Sequence, residues 1–294
     1  VKLKISVSPY LLLALANLFW AGNWIVGRGM RADVPPIALS FWRWMIALLC
    51  LLPLAWPHLR RDMPILRAGW KSLLVLGGLG TCLYNALTYL GLQQTEAING
   101  LLLNSFIPIV IVALAWAFQG KRLGLTDGLG IAASFCGVLT IVARGDPHNL
   151  LLLTLNWGDI WILLSVLAWA IYTLLLPKRP AAHPLAFLFA IAVIGVVAML
   201  PAYLAEIASG RQIHSSVSAW VAIAYTGVFP SFLGFIFWNK GIEQVGAAKG
   251  GLFMHLLPAF GILLAAIFLG ERLLAFHFAG IALIFSGIFL TMRR

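Results

Sequence analysis

Ten apolar runs, separated by short charged or Gly/Pro-rich breaks, divide the chain at roughly 9–28, 36–57, 70–93, 97–118, 125–143, 158–178, 184–206, 217–239, 246–269 and 275–292. Each is close to the ~20 residues a helix needs to cross a hydrocarbon core. The pattern therefore predicts an all-α integral membrane fold of ten transmembrane helices. The first run is too long for a signal-peptide core and lacks a convincing cleavage site, so it counts as a helix. The longest polar break, ARGDPHNLLLLTLNWGD (143–159), divides the chain almost in half.

Composition strengthens this reading. Of 294 residues, 62% are hydrophobic and only 10% charged, where a soluble domain carries roughly a quarter charged residues. The net charge of +11 does not point to nucleic acid, because no long basic run occurs. Basic residues sit instead at helix ends, where they set orientation and meet anionic lipid. With the N-terminus inside, 14 Lys and Arg fall at inner ends against five at outer ends (Arg28, Arg31, Arg144, Arg211, Arg272), and Arg43 lies within a span. Both termini are accordingly expected in the cytoplasm. Cys50, Cys82 and Cys136 all lie in apolar segments and read as small core residues, not as a disulfide framework or a metal site.

The chain is internally repeated. A shift of 150 residues aligns 91–140 with 241–290 at 17 of 50 positions without a gap, placing Pro108 on Pro258, Gly120 on Gly270, Gly130 on Gly280 and Gly137 on Gly287. A shift of 149 places Trp20 on Trp169. The expected units are 1–145 and 146–294, each with five spans. An odd number of spans makes the second unit enter the membrane inverted, an arrangement transporters use to open a central site to one side at a time. Pro108 and Pro258 are the expected hinges.

Candidate chemistry is sparse in acids and rich in aromatics. All nine Asp and Glu residues lie at or near span ends, and no catalytic set can be assembled, so neither an enzyme nor a cofactor is expected. The lack of a deep carboxylate also disfavours a cationic substrate and carboxylate-based proton coupling. Two ionisable groups lie deep, Arg43 in the second span and His255 in the ninth. A charged residue at a helix centre costs ~2.5–3.5 kcal/mol on insertion scales. Arg43 therefore either snorkels, ties neighbouring carbonyls, or meets a substrate anion, whereas His255 either joins helices or faces a cavity.

Polar and aromatic positions recur at helical spacing. Trp20, Asn23, Trp24 and Gly27 share one face of the first span, and Trp169, Tyr172 and Thr173 repeat that spacing in the sixth. The third span carries Tyr84 and Thr88 on one face with Asn85 and Tyr89 one step round. The fourth adds Asn104 and Ser105, and the eighth Tyr225, Trp238 and Asn239. Such faces turn inward. Packing and interhelical hydrogen bonds account for any one of them. Together they predict a central cavity lined by Trp, Tyr and Asn, suited to a modest amphipathic solute.

The order of FWAGNW (19–24), PPIALSFWRW (35–44) and GERL (270–273), with two inverted five-helix halves, resembles the drug/metabolite transporter superfamily, ten-helix EamA type. The resemblance covers essentially the whole chain. It implies a basket of helices 1–4 and 6–9 around a central cavity, with 5 and 10 peripheral, and export of metabolites, often amino acids, across the bacterial inner membrane. Within that family the chain is similar to the aromatic and hydrophobic amino-acid exporters. Arg43 matches the family's span-two arginine, and Gly270–Glu271 its Gly-Glu pair, which the first half replaces with Gly120–Lys121. Export of another metabolite or a hydrophobic drug is the alternative. An intramembrane enzyme lacks the residues, and a scaffold or receptor lacks a soluble region. The expected partners are a small-molecule substrate and membrane lipid, and a monomer fits the sequence.

Overall fold

The computed structural model describes residues 8–95, 97–120, 124–151, 156–269 and 273–292. The Gly270–Glu271 pair, Arg272 and the basic residues at 2, 4, 121, 122, 293 and 294 lie outside that set. Among the described residues the chain is all-α. Its spans are α1 (Pro9–Gly29), α2 (Pro36–Ala68), α3 (Trp70–Gln94), α4 (in two pieces, Ala97–Asn104 and Ile107–Gln119) and α5 (Leu125–Val142). They continue as α6 (Trp157–Leu175), α7 (Pro184–Ala208), α8 (Val217–Val245), α9 (Ala247–Gly251, Leu252–His255 and Leu256–Leu269 in series) and α10 (Ala275–Met292). Nine are long and apolar enough to cross a membrane, and α10 adds a shorter apolar helix.

Local sequence explains most ends. Pro9, Pro36 and Pro184 occupy the first helical position of α1, α2 and α7, where a missing N–H costs nothing. Asn156 and Asp159 form a reciprocal capping box at the start of α6. Gly120, at φ 63°, ends α4, a backbone conformation that glycine adopts without strain. One boundary differs from expectation: α2 runs on past Pro57 to Ala68. The buried series Leu51, Ala55, Leu59, Asp62, Leu66 keeps one helical face packed through that extension. Asp62 there accepts the N–H of His183 at 2.6 Å, tying the end of α2 to the start of α7.

The helices pack as α5–α10, α2–α7, α3–α6 with α1–α8, α3–α7 with α2–α8, and α4–α6 with α1–α9. Exchanging every helix for the one five places on maps this set onto itself. The ends of α1 and α3 meet at one face, where Arg28 donates to the carbonyls of Leu92 and Thr95 at 3.3 Å each and Thr95 bonds Asp159 at the start of α6. At the other face Arg179, just after α6, pairs with Glu243 near the end of α8 at 2.9 Å. The peripheral pair α5–α10 crosses on four glycines. A Cβ on Gly137 would stand 2.5 Å from the carbonyl oxygen of Gly280, and one on Gly280 2.7 Å from that of Gly137, with Gly130 and Gly287 facing each other likewise. Gly137→Leu should force the helices apart at a cost of ~1–3 kcal/mol, lowering the melting temperature in detergent. Gly128→Leu on the same helix meets nothing within 4 Å and should leave it unchanged.

Candidate substrate site at the bundle centre

Arg43 is 1% exposed and does not reach an interface. Its Nε donates to Ser231 Oγ of α8 at 2.6 Å, and its Nη1 to Tyr89 Oη of α3 at 2.6 Å and Asn23 Oδ1 of α1 at 3.2 Å. The Tyr89 hydroxyl in turn donates to Asn23 Oδ1 at 2.5 Å, and that of Ser231 to the Thr226 carbonyl at 2.7 Å. Four helices thus converge on one guanidinium, and every partner is neutral. Among the described residues the ion pairs are Arg61–Asp62, Arg179–Glu243 and His214–Asp33, none of them at Arg43. Burying a cation costs several kcal/mol, and neutral dipoles offset only part of that.

Beside this network lies an aromatic cluster. Trp20 and Trp169 meet edge-on at 5.1 Å. Trp238 lies 5.2 Å from Trp20 and 5.7 Å from Trp169. Tyr84 packs on Trp169 at 4.5 Å, Tyr172 on Trp169 at 5.1 Å, and Phe235 on Trp44 at 4.8 Å and Trp169 at 5.4 Å. All these rings are buried. Among the described residues they pack against one another and are shut off from solvent, so the site is closed in this state. Part of its hydrogen-bonding capacity is unspent. The indole N–H groups of Trp44, Trp169 and Trp238, the Asn104 amide nitrogen and the Thr173 hydroxyl are buried without partners. Every nitrogen in that set is a donor.

The repeat shows where Trp20 and Trp169 differ. Segments Gly77–Leu83 of α3 and Gly227–Leu233 of α8 are both π-helical, a local widening common at functional sites. They are 150 residues apart, so Pro230 and Gly80 occupy equivalent places. Trp20 Nε1 donates to the Pro230 carbonyl at 2.9 Å. The equivalent Gly80 carbonyl accepts instead from Asn85 of its own helix at 3.2 Å, and Trp169 Nε1 has no partner. Phe235 stands where α8 would need a second Asn85.

A similar exchange relates two polar pairs. Asn23 and Tyr89 bond near the ends of α1 and α3, whereas Tyr172 Oη donates to Asn239 Oδ1 at 2.7 Å near the ends of α6 and α8. By the same shifts Asn23 corresponds to Tyr172 and Tyr89 to Asn239, so the bond is kept while its residues trade places. Arg43 has no such counterpart. Its carbonyl faces Gly227 as that of Ile191 faces Gly77, so an isoleucine holds the second arginine's place.

The remaining candidates are dispersed. Tyr84 donates to Asn104 Oδ1 at 3.3 Å, within the cluster, while Thr88 bonds the Tyr84 carbonyl of its own helix at 2.7 Å. His255 bridges helices: Nε2 bonds the Ser105 carbonyl of α4 at 2.9 Å and Nδ1 the Ser134 hydroxyl of α5 at 2.7 Å. Pro108 and Pro258 begin the second halves of interrupted spans, after a turn at Ser105–Phe106 and after the 3₁₀ stretch Leu252–His255. Ser231, Trp44 and Phe235 were not among the sequence candidates. Only Trp44, adjacent to Arg43, offered a signal. A separate cavity of about 270 Å³ lies at the ends of α4, α6 and α8, lined by Gln119, Leu174, Lys178, Ile242 and Glu243.

Comparison with known proteins agrees with this architecture. The model of the EamA-like transporter family matches residues 7–143 and again 156–293. The uncharacterized transporter YyaM of Bacillus subtilis is 26% identical over 95% of this chain and 92% of its own. A probable terminal-alkyne amino-acid exporter of Streptantibioticus cattleyicolor is 24% identical over 80% of this chain and 74% of its own. A solved crystal structure superposes with a TM-score of 0.73 over 96% of both chains at 18% identity, a likeness of fold. With two family matches covering nearly all of its length, each spanning five helices, the chain belongs to the EamA-like transporter family of multi-pass membrane proteins.

Proposed function

We propose that this chain is a secondary transporter that exports aromatic and other neutral, hydrophobic amino acids across the bacterial inner membrane by alternating access. Units 1–145 and 146–294 act as the two inverted halves, and both termini face the cytoplasm. The observation that carries the reading is the buried Arg43, unpaired with any described carboxylate, beside indole rings whose N–H groups lack acceptors. A substrate carboxylate completes that electrostatics. The ring faces take an apolar side chain and hold the ammonium by cation–π attraction.

In this orientation Asn23–Tyr89 closes the outer side and Tyr172–Asn239 the inner side, and the 270 Å³ cavity is the cytoplasmic vestibule. The relative named as an amino-acid exporter supports the substrate class. One observation favours a second reading: Arg43 and the unpartnered indole N–H groups offer an anion donors, while no described ion pair places a carboxylate beside them to receive an ammonium, which suits an amphipathic monocarboxylate lacking an amino group.

Purified protein in proteoliposomes, offered labelled phenylalanine, tryptophan, leucine, phenylacetate, a sugar and an organic cation, separates these. Uptake of the three amino acids is the expected result. Movement of phenylacetate alone selects the second reading, and movement of only the sugar or the cation refutes both. Repeating uptake with a proton ionophore distinguishes coupled from facilitated movement.

A further inference from the structure

We infer that the side-chain oxygen of Asn23 occupies the place of the substrate's carboxylate at Arg43, so that a carboxylate entering the site displaces it and releases the outer closure but not the inner one. The inference rests on the amino-acid reading above and adds how the substrate is read. Asn23 Oδ1 accepts two donors at once, Arg43 Nη1 at 3.2 Å and the Tyr89 hydroxyl at 2.5 Å. A carboxylate oxygen accepts the same two donors and, being charged, accepts them more strongly. Of the three side chains bonded to Arg43, Asn23 stands farthest, at 3.2 Å against 2.6 Å to Ser231 and to Tyr89, and the Tyr89 hydroxyl that it gives up is taken over by the incoming carboxylate.

Topology sets the consequence of the exchange. Asn23 belongs to α1 and Tyr89 to α3, so a ligand that takes Asn23's place removes one tie between those helices and leaves the longer bonds from Arg28 to Leu92 and Thr95, at 3.3 Å, at that end. The inner pair has the same Asn–Tyr bond, at 2.7 Å, but an isoleucine where a second arginine would stand. Among the described residues on that side, Arg179 is bonded to neither Tyr172 nor Asn239 and is already paired with Glu243 at 2.9 Å. A carboxylate therefore acts on one closure only, and its arrival from the cytoplasm favours opening to the outside. Asn23 is in this sense a positioning residue that makes the carboxylate itself the trigger.

The test uses the full chain in detergent, monitoring thermal unfolding of the wild type, Asn23→Asp and Asn23→Ala with L-phenylalanine, phenylacetate or L-phenylalaninamide. The wild type should be stabilised by both carboxylates and not by the amide. Asn23→Asp carries its own carboxylate to Arg43. It should melt at or above the wild type without ligand and show no further shift. Asn23→Ala lacks the competitor and should respond at several-fold lower ligand concentration. An Asn23→Asp response equal to the wild type overturns the inference and leaves the amino-acid reading intact. Absence of any carboxylate response in the wild type overturns that reading, and the inference with it. Should Asn23→Asp fail to fold, Asn23→Ala decides: an unchanged or weaker response counts against displacement.

Discussion

Arg43→Gln should reduce exchange of labelled phenylalanine in proteoliposomes by about ten- to hundredfold, the range set by losing a charge-assisted hydrogen bond worth ~1.5–3 kcal/mol. Glutamine keeps a donor near Tyr89 and Asn23 but removes the only cation at the centre among the described residues. If Arg43 merely tied helices together, the neutral replacement would retain transport and lower stability, because its hydrogen bonds join α2 to α1, α3 and α8. Arg43→Lys separates charge from geometry. One ammonium cannot reproduce the planar fork that reaches Ser231 through Nε and Tyr89 through Nη1. Lysine should therefore restore part of the exchange lost in Arg43→Gln, and no recovery would assign the role to the guanidinium's shape.

The two central tryptophans should respond in opposite ways to loss of their N–H. Trp20→Phe removes the donor bound to the Pro230 carbonyl at 2.9 Å and should cost about 1 kcal/mol of stability, with substrate affinity less affected. Trp169→Phe removes an N–H that has no partner in the closed state. It should leave stability nearly unchanged and weaken substrate binding about tenfold, as expected for a lost bond to a charged group. Trp169→Ala goes further, emptying a position that touches Trp20, Tyr84, Tyr172, Phe235 and Trp238, and should impair transport without lowering membrane expression. Thermal unfolding together with phenylalanine binding in detergent distinguishes the outcomes. Equal effects of the two Phe substitutions on binding would show that the indole N–H groups are not used differently.

Much of this architecture can be read from the chain before any coordinates, because lipid imposes length and apolarity on every span. The 149-residue shift aligns Trp20 with Trp169, but that the two rings touch, at 5.1 Å, is seen only in the fold. What the pattern cannot reveal is which polar group satisfies which. Asn85 shares the spacing of a cavity residue, yet a π-helical segment one turn earlier offers it the Gly80 carbonyl, and hydropathy carries no trace of that widening. Thr88 likewise turns to its own backbone. His255 reads equally well as a ligand or a joint. Its place opposite Ser105 and Ser134 depends on how three helices cross, which is a tertiary fact. Ser231 is one serine among many until Arg43 is seen to reach it at 2.6 Å. The continuation of α2 past Pro57 was hidden for a related reason: charges at Arg60, Arg61 and Asp62 signal the end of a span, not the end of a helix.

Central to the proposed function is a packed Trp–Arg centre, closed by one Asn–Tyr pair on each side, that opens to one side at a time. Asn104 lies within that centre, 1% exposed and bonded to Tyr84. The most direct measurement replaces Cys50, Cys82 and Cys136, introduces Asn104→Cys, and applies a membrane-impermeant maleimide to right-side-out and inside-out vesicles. Labelling of the central thiol from either face, slowed on both by L-phenylalanine, is the predicted result. Labelling from one face only, or rates on both faces that substrate leaves unaltered, would contradict it.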